Sequence, residues 1–287
     1  MADAPGRSAQ LPPRRAIIGP DGVAVAVFRS GDGPPLVLVH GATADHTTWR
    51  TSGPLLAARH TLHAVDRRGR GRAGDAPPGA PYSIEREFDD LANVVDRISA
   101  ESDGAVDVVG HSYGGRIGLG AALRTSNLRR LVVYEGAPPP VTGRGYQDDG
   151  TLARIETLVA AGDRDEALAT FMRDIVGMPD DDLAAFRADP VWPVRAFAVD
   201  TTIRELRAEV SPAASLEALG EVRQPVLQIV GGASAPVFGE ATRALDARLM
   251  NGRVVTIDGA RHAAHHTHPG EFVAAIEAFL AEPDVAD

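Results

Sequence analysis

The chain has 287 residues, 44% of them hydrophobic, a size that buries one large core and fits a single α/β domain with an insertion better than two equal domains. A formal net charge of −10, with basic residues crowded only at 67–72, excludes nucleic acid and an anionic membrane as expected partners. The chain has no cysteine and all 29 of its basic residues are arginine, which excludes disulfides, thiolate nucleophiles, cysteine metal sites and catalytic lysines.

Residues 1–15, rich in Pro, Ala and Arg and without an apolar run, are expected to form a flexible N-terminal tail rather than a signal peptide. No run of about 18 apolar residues occurs anywhere, so a cytoplasmic protein is expected. Residues 16–18 and 23–28 flank the turn cluster Gly19-Pro20-Asp21-Gly22 and predict an opening β-hairpin at a sheet edge. Four short apolar runs, 36–39, 62–65, 106–109 and 131–134, read as buried parallel strands. Between the second and third, residues 84–99 place Phe88, Leu91, Val94, Val95 and Ile98 at helical spacing, a crossover helix with one packed face. Residues 138–222 hold no convincing strand; helical periodicity recurs at 152–161, 164–176, 180–188 and 194–210. Strand patterns resume at 226–230 and 253–257, and an apolar helical stripe at 272–280 closes the chain. The predicted architecture is α/β: a mostly parallel eight-stranded sheet with helices on both faces, its core built from 16–137 and 223–287, with 138–222 as a helical cap. Ligands of open α/β sheets bind at the carboxyl ends of the strands, where such a cap would roof a pocket.

The strand at 106–109 runs directly into Gly110-His111-Ser112-Tyr113-Gly114-Gly115, and helix formers follow. A serine on a sharp strand-to-helix turn projects its hydroxyl clear of the backbone, and glycines two residues to either side permit the close approach the turn demands. Ser112 is therefore the expected nucleophile. A hydroxyl needs a base to take its proton, and His262, on the loop leaving the strand at 253–257, emerges at the same sheet edge. His265, His266 and His268 crowd the same stretch, but no carboxylate joins them in a metal motif, so pocket lining or surface is the expected role and no metal is predicted.

These residues resemble the α/β-hydrolase family over nearly the whole chain after residue 15. His40-Gly41-Ala42 is similar to the family's oxyanion loop, which implies backbone N–H donors at Ala42 and Tyr113. Asp66-Arg67-Arg68-Gly69-Arg70-Gly71 resembles its DxRGxG turn, whose implied role is to order a turn rather than bind phosphate. Gly259, His262 and Pro269 are spaced like its closing glycine, catalytic histidine and proline. The acid departs from the pattern. The loop after 226–230 reads Gly231-Gly232-Ala233-Ser234-Ala235-Pro236 and carries no carboxylate, whereas the strand at 131–134 ends directly in Glu135. The orienting role therefore falls on Glu135, with a solvated or pocket-lining carboxylate as the rival reading and Asp258 as a weaker substitute. Trp49, His111 and Tyr113 are further candidates for substrate contact, with core packing as the alternative; Asp45-His46 reads first as a loop cap.

The resemblance implies a cofactor-independent serine hydrolase acting on an ester, thioester or related carbonyl of a small hydrophobic molecule, with a homodimer left open. Aromatic residues make up only 5% of the chain, which argues against a carbohydrate platform. A serine at 112 excludes the family branches that attack through a carboxylate. Two alternatives stay open: a lyase, cyclase or carbon-carbon bond-cleaving enzyme on the same fold, and a ligand receptor without turnover.

Overall fold

A computed structural model describes residues 14–77, 80–141, 145–146 and 149–283. The short apolar runs form strands β1 (Arg14–Ile18), β2 (Ala24–Ser30), β3 (Pro35–Val39), β4 (Thr61–Asp66), β5 (Val106–His111), β6 (Leu128–Tyr134), β7 (Val226–Gly231) and β8 (Gly252–Ile257). They make one eight-stranded sheet in the order β1-β2-β4-β3-β5-β6-β7-β8. The β1–β2 and β2–β4 pairs are antiparallel and the others parallel.

The parallel strands are apolar on successive residues because both sheet faces are covered. Val37 and Val39 of β3 enter one core cluster, which holds Phe88, Val94 and Val95 of helix α2 (Ile84–Ser102) and Ile117 and Leu119 of α3 (Tyr113–Ala122). The alternate residues Leu36 and Leu38 enter the opposite cluster, with Leu56 of the short α1 (Gly53–Leu56) and with Phe272, Ile276 and Phe279 of the C-terminal helix Pro269–Leu280. Each fully buried Val, Leu or Phe contributes about 1.5–3 kcal/mol of transfer free energy, so the two faces together dominate stability.

The expected tail differs at its end. Arg14 and Arg15 belong to β1, paired with Phe28 and Val27. An antiparallel edge strand takes its stability from ladder hydrogen bonds and tolerates charged side chains, so composition alone does not reveal it. Residues 1–13 lie outside the described residues.

Between β6 and β7 run α4 (Asp149–Ala160), α5 (Arg164–Thr170), a π turn (Phe171–Ile175), α6 (Asp180–Arg187), α7 (Trp192–Phe197), α8 (Val199–Ala208) and α9 (Leu216–Leu219). The first five helices share a separate apolar cluster centred on Ile155, Leu168, Leu183, Trp192, Val199 and Leu206. Leu216, Leu219 and Val222 instead pack with the sheet's own core. The helix expected at 194–210 is broken: α7 ends at Phe197, the N–H of the capping Ala198 bonds back to Val194 and Arg195, and α8 starts at Val199.

Four buried charges clamp α8 to the sheet. Arg67 donates to both oxygens of Glu87 on α2 at 2.8 and 2.9 Å and to Glu205 on α8 at 2.9 Å. Arg70 donates to Glu205 at 2.6 Å and to Thr202 at 2.9 Å. The arginine-rich turn after β4 therefore serves structure. After β7 come α10 (Pro236–Asp246), α11 (Ala264–Thr267) and α12 (Pro269–Leu280). Among the described residues no helix is long and apolar enough to cross a membrane.

Candidate active site

Because β3 to β8 are parallel, His40, Ser112, Glu135 and Asp258 all leave strands at one edge of the sheet. Ser112 sits between β5 and α3 with φ 53° and ψ −124°, a left-handed conformation for a residue with a Cβ. Such a backbone costs on the order of 1–3 kcal/mol and persists only where neighbours hold it. Its N–H donates to the Tyr134 carbonyl at 2.7 Å, and its own carbonyl accepts from Gly115 at 2.8 Å. The flanking glycines are required: a Cβ on Gly110 would lie 2.5 Å from the Gly114 carbonyl oxygen, and one on Gly114 would lie 2.4 Å from the Val39 carbonyl oxygen.

Glu135 follows β6 directly, with φ 45° and its carboxylate buried. One carboxylate oxygen accepts the Gly231 N–H at 2.7 Å, and the other accepts from Nδ1 of His262 at 2.5 Å. This commits the Nδ1 proton of His262 to the carboxylate and leaves Nε2 as the basic nitrogen. The loop bearing His262 is held from below by Tyr134, whose hydroxyl donates to the Arg261 carbonyl and accepts from the Ala264 N–H. His111 Nε2 donates to the His262 carbonyl at 2.8 Å, and Phe238 stacks on the His262 ring with centroids 4.5 Å apart.

Ser112 and His262 both line a cavity of about 490 Å³ whose other wall comes from the helices between β6 and β7, with Phe171, Met172, Phe186 and Arg195 turned toward it. His111 and Ala42 also line it. The other expected contacts differ. Trp49 is buried in the core, turned inward by a short helical turn (His46–Trp49), with its ring 5.4 Å from that of His265. The Tyr113 side chain lies in the sheet core beneath the Arg67 guanidinium and against the Tyr82 hydroxyl, so only its backbone N–H, at the first turn of α3, remains available. His40 and Gly41 stand behind the cavity wall. His40 Nδ1 donates to the Gly41 carbonyl at 2.8 Å while Nε2 accepts from the Arg67 N–H at 3.2 Å. A Cβ on Gly41 would come within 3.0 Å of the Ser112 Cβ. Asp45 caps the turn that follows, accepting from the Thr47 N–H at 2.9 Å, as its loop-cap reading anticipates. His265 lines the cavity and His266 its rim.

Burial holds His40, His111 and His265 well below the ordinary imidazole range, with neighbouring cations and, for His111 and His265, neighbouring histidines adding to it. Burial, aided by Arg50 and Arg195, brings His266 down to about 4. On the cavity wall His111, His265 and His266 are therefore neutral imidazoles at neutral pH.

The model of the alpha/beta hydrolase family matches residues 36–276, most of the chain. The chain belongs to this family. A pimeloyl-[acyl-carrier protein] methyl ester esterase of Xanthomonas campestris is 30% identical over 88% of this chain and 96% of its own length. The crystal structure of an alpha/beta hydrolase from Sphaerobacter thermophilus superposes with a TM-score of 0.76 at 30% identity, covering 91% of this chain and all of that one. A Mycobacterium tuberculosis protein named probable oxidoreductase EphD is 37% identical over 35% of this chain, and the match spans only 17% of that protein. As a member of the family this chain is an α/β-fold hydrolase.

Tyr134, Phe238 and Arg195 lay outside the sequence reading. Tyr134 reads there only as the end of a strand, Phe238 lies in a stretch to which no element was assigned, and Arg195 is one arginine among 29.

Proposed function

We propose that the chain is a serine hydrolase cleaving an ester or thioester of a small, largely apolar molecule through Ser112, His262 and Glu135. The observation that carries this reading is the 2.5 Å hydrogen bond from His262 Nδ1 to the buried Glu135 carboxylate at a cavity that Ser112 also lines.

In this reading Ser112 Oγ attacks the substrate carbonyl while His262 Nε2 takes its proton, and Glu135 stabilises the imidazolium and holds the ring in one tautomer. Backbone N–H groups of Ala42 and Tyr113 receive the oxyanion, and each donor fixed in place before reaction is worth about 3–4 kcal/mol. The imidazolium returns its proton to the leaving alcohol or thiol, forming an acyl-enzyme. Water, deprotonated by His262, then releases the acid and restores Ser112. The helices from α4 to α8 act as a cap that supplies the apolar wall and excludes water.

An active-site serine probe with peptide mapping tests this. Labelling at Ser112 that disappears in Ser112→Ala and weakens in Glu135→Gln is the expected result. Ester turnover that survives Ser112→Ala would favour non-hydrolytic or other chemistry on this fold.

A further inference from the structure

Four buried arginines of this fold are paired with carboxylates, Arg67 with Glu87 and Glu205, Arg68 with Asp90 and Asp21, Arg70 with Glu205 and Arg116 with Glu209, and a fifth, Arg130, donates to the backbone carbonyls of Phe279 and Pro283. Arg195 on α7 differs. It lines the cavity with only 8% of its surface exposed, and its one hydrogen bond runs from Nη2 to the Thr48 hydroxyl at 3.2 Å. Among the described residues it forms no ion pair. The two acids that share the cavity wall are already engaged, Asp189 with Arg50 at 3.5 Å and Asp182 with Arg261 at 2.6 Å. A guanidinium offers five donors and no acceptor, so one neutral oxygen leaves most of its hydrogen-bonding capacity unspent in a place with little water. Burial brings its pKa down to about 10, Asp45 opposing and Arg50 reinforcing the drop.

Thr48 extends this polar spot. Since Arg195 is only a donor, the Thr48 oxygen accepts from it and the Thr48 proton turns to His265 Nε2 at 3.2 Å. His265 then carries its proton on Nδ1, a buried atom that has no hydrogen-bond partner. Phe171, Met172 and Phe186 supply apolar surface to the same cavity.

We propose that Arg195 receives a substrate carboxylate separate from the scissile ester, so that the substrate class is the monoester of a short, otherwise apolar dicarboxylic acid. The proposal rests on the serine hydrolase reading for its reaction. The flat guanidinium fork matches the two oxygens of a carboxylate. A phosphate dianion would call for a second free cation, whereas Arg50 and Arg261 are committed to Asp189 and Asp182.

The test compares the monomethyl esters of succinate, adipate and suberate with the methyl esters of the corresponding amic acids, in wild type, Arg195→Met and Arg195→Lys. Wild type is expected to favour the acid over its amide at one chain length by about 10- to 100-fold in kcat/KM, the range of a charge-assisted hydrogen bond. Arg195→Met should erase that ratio to within about twofold, and Arg195→Lys should retain part of it. No acid preference at any length, or a loss in Arg195→Met that is equal for acid and amide, overturns the proposal. Calorimetric titration of Ser112→Ala with monomethyl adipate separates the two readings. Binding that vanishes when Arg195→Met is added supports the carboxylate site even where wild type turns over no ester, an outcome that would remove the hydrolase reading alone. Conversely, Ser112-dependent turnover of acids and amides alike would leave the hydrolase and remove the carboxylate.

Discussion

Glu135 leaves strand β6, yet its carboxylate is held by the Gly231 N–H at the end of β7 while it accepts the Nδ1 proton of His262 from the loop after β8. One side chain thus bridges three neighbouring strand ends. The loop after β7, which has no carboxylate of its own, contributes a backbone donor that fixes a carboxylate arriving from the adjacent strand.

Glu135→Gln keeps the shape and, in the proposed mechanism, removes the charge that stabilises the imidazolium. We expect kcat to fall by about 10³- to 10⁴-fold, the loss typical when a triad acid becomes an amide. Steady-state kinetics on a p-nitrophenyl ester reads this directly. A change of only a fewfold would mean that His262 works without Glu135.

Tyr134→Phe deletes the hydroxyl that ties Arg261 and Ala264, on either side of His262, to the sheet. Leaving a buried carbonyl and N–H unpaired costs about 1–3 kcal/mol, and the histidine loop gains freedom. Denaturant unfolding should show that loss of stability. Turnover should fall about tenfold with little change in KM, as expected for a group that positions the base rather than binds substrate.

Glu205→Gln breaks the clamp between α8 and the turn after β4. Removing one partner from a buried charge network typically costs about 3–5 kcal/mol, because Arg67 and Arg70 lose a shared carboxylate. Burial pushes the Glu205 carboxyl up, but Arg67 and Arg70 together outweigh burial and bring it below its ordinary value. Its contribution is therefore complete above the unfolded glutamate value, about 4.3, and is lost as pH falls through the lower folded value. The acid limb of the stability curve should flatten in Glu205→Gln; an unchanged limb would refute this origin.

His40, His111 and His265 are buried neutral, with folded pKa values well below the ordinary one. Above an unfolded value of about 6.5 they impose no pH dependence. Below it the unfolded chain takes up protons that the folded chain refuses, so stability declines toward acid by about 1.4 kcal/mol per pH unit for each histidine. Urea unfolding between neutral pH and the onset of acid denaturation measures that slope. Replacing His111 with Phe should reduce it by one histidine's share, and an unaltered slope would count against a neutral His111.

The strands, apart from the start of β1, and the turn bearing Ser112 were legible in the sequence because each is written locally, while the resemblance to the family pointed to Glu135 and His262, two residues that the fold brings within hydrogen-bond reach. Apolar runs mark strands buried on both faces, glycines mark a backbone that admits no Cβ, and a glutamate at a strand end beside an acid-free loop narrows the choice of acid. What the sequence did not decide is the direction in which a side chain turns once its loop is placed. Trp49 and Tyr113 lie one residue from cavity-lining Thr48 and Ser112 yet point into the core, where an aromatic ring buries the most area. His40 was expected to contact substrate and instead stands behind the cavity wall, where the Arg67 backbone N–H and guanidinium reach it from the turn after β4. Arg195 carries no local mark at all. Its environment exists only because α7 folds back over the sheet edge and brings it to Thr48, far away in sequence, where burial at a cavity wall without a carboxylate partner sets it apart from Arg67, Arg68 and Arg70.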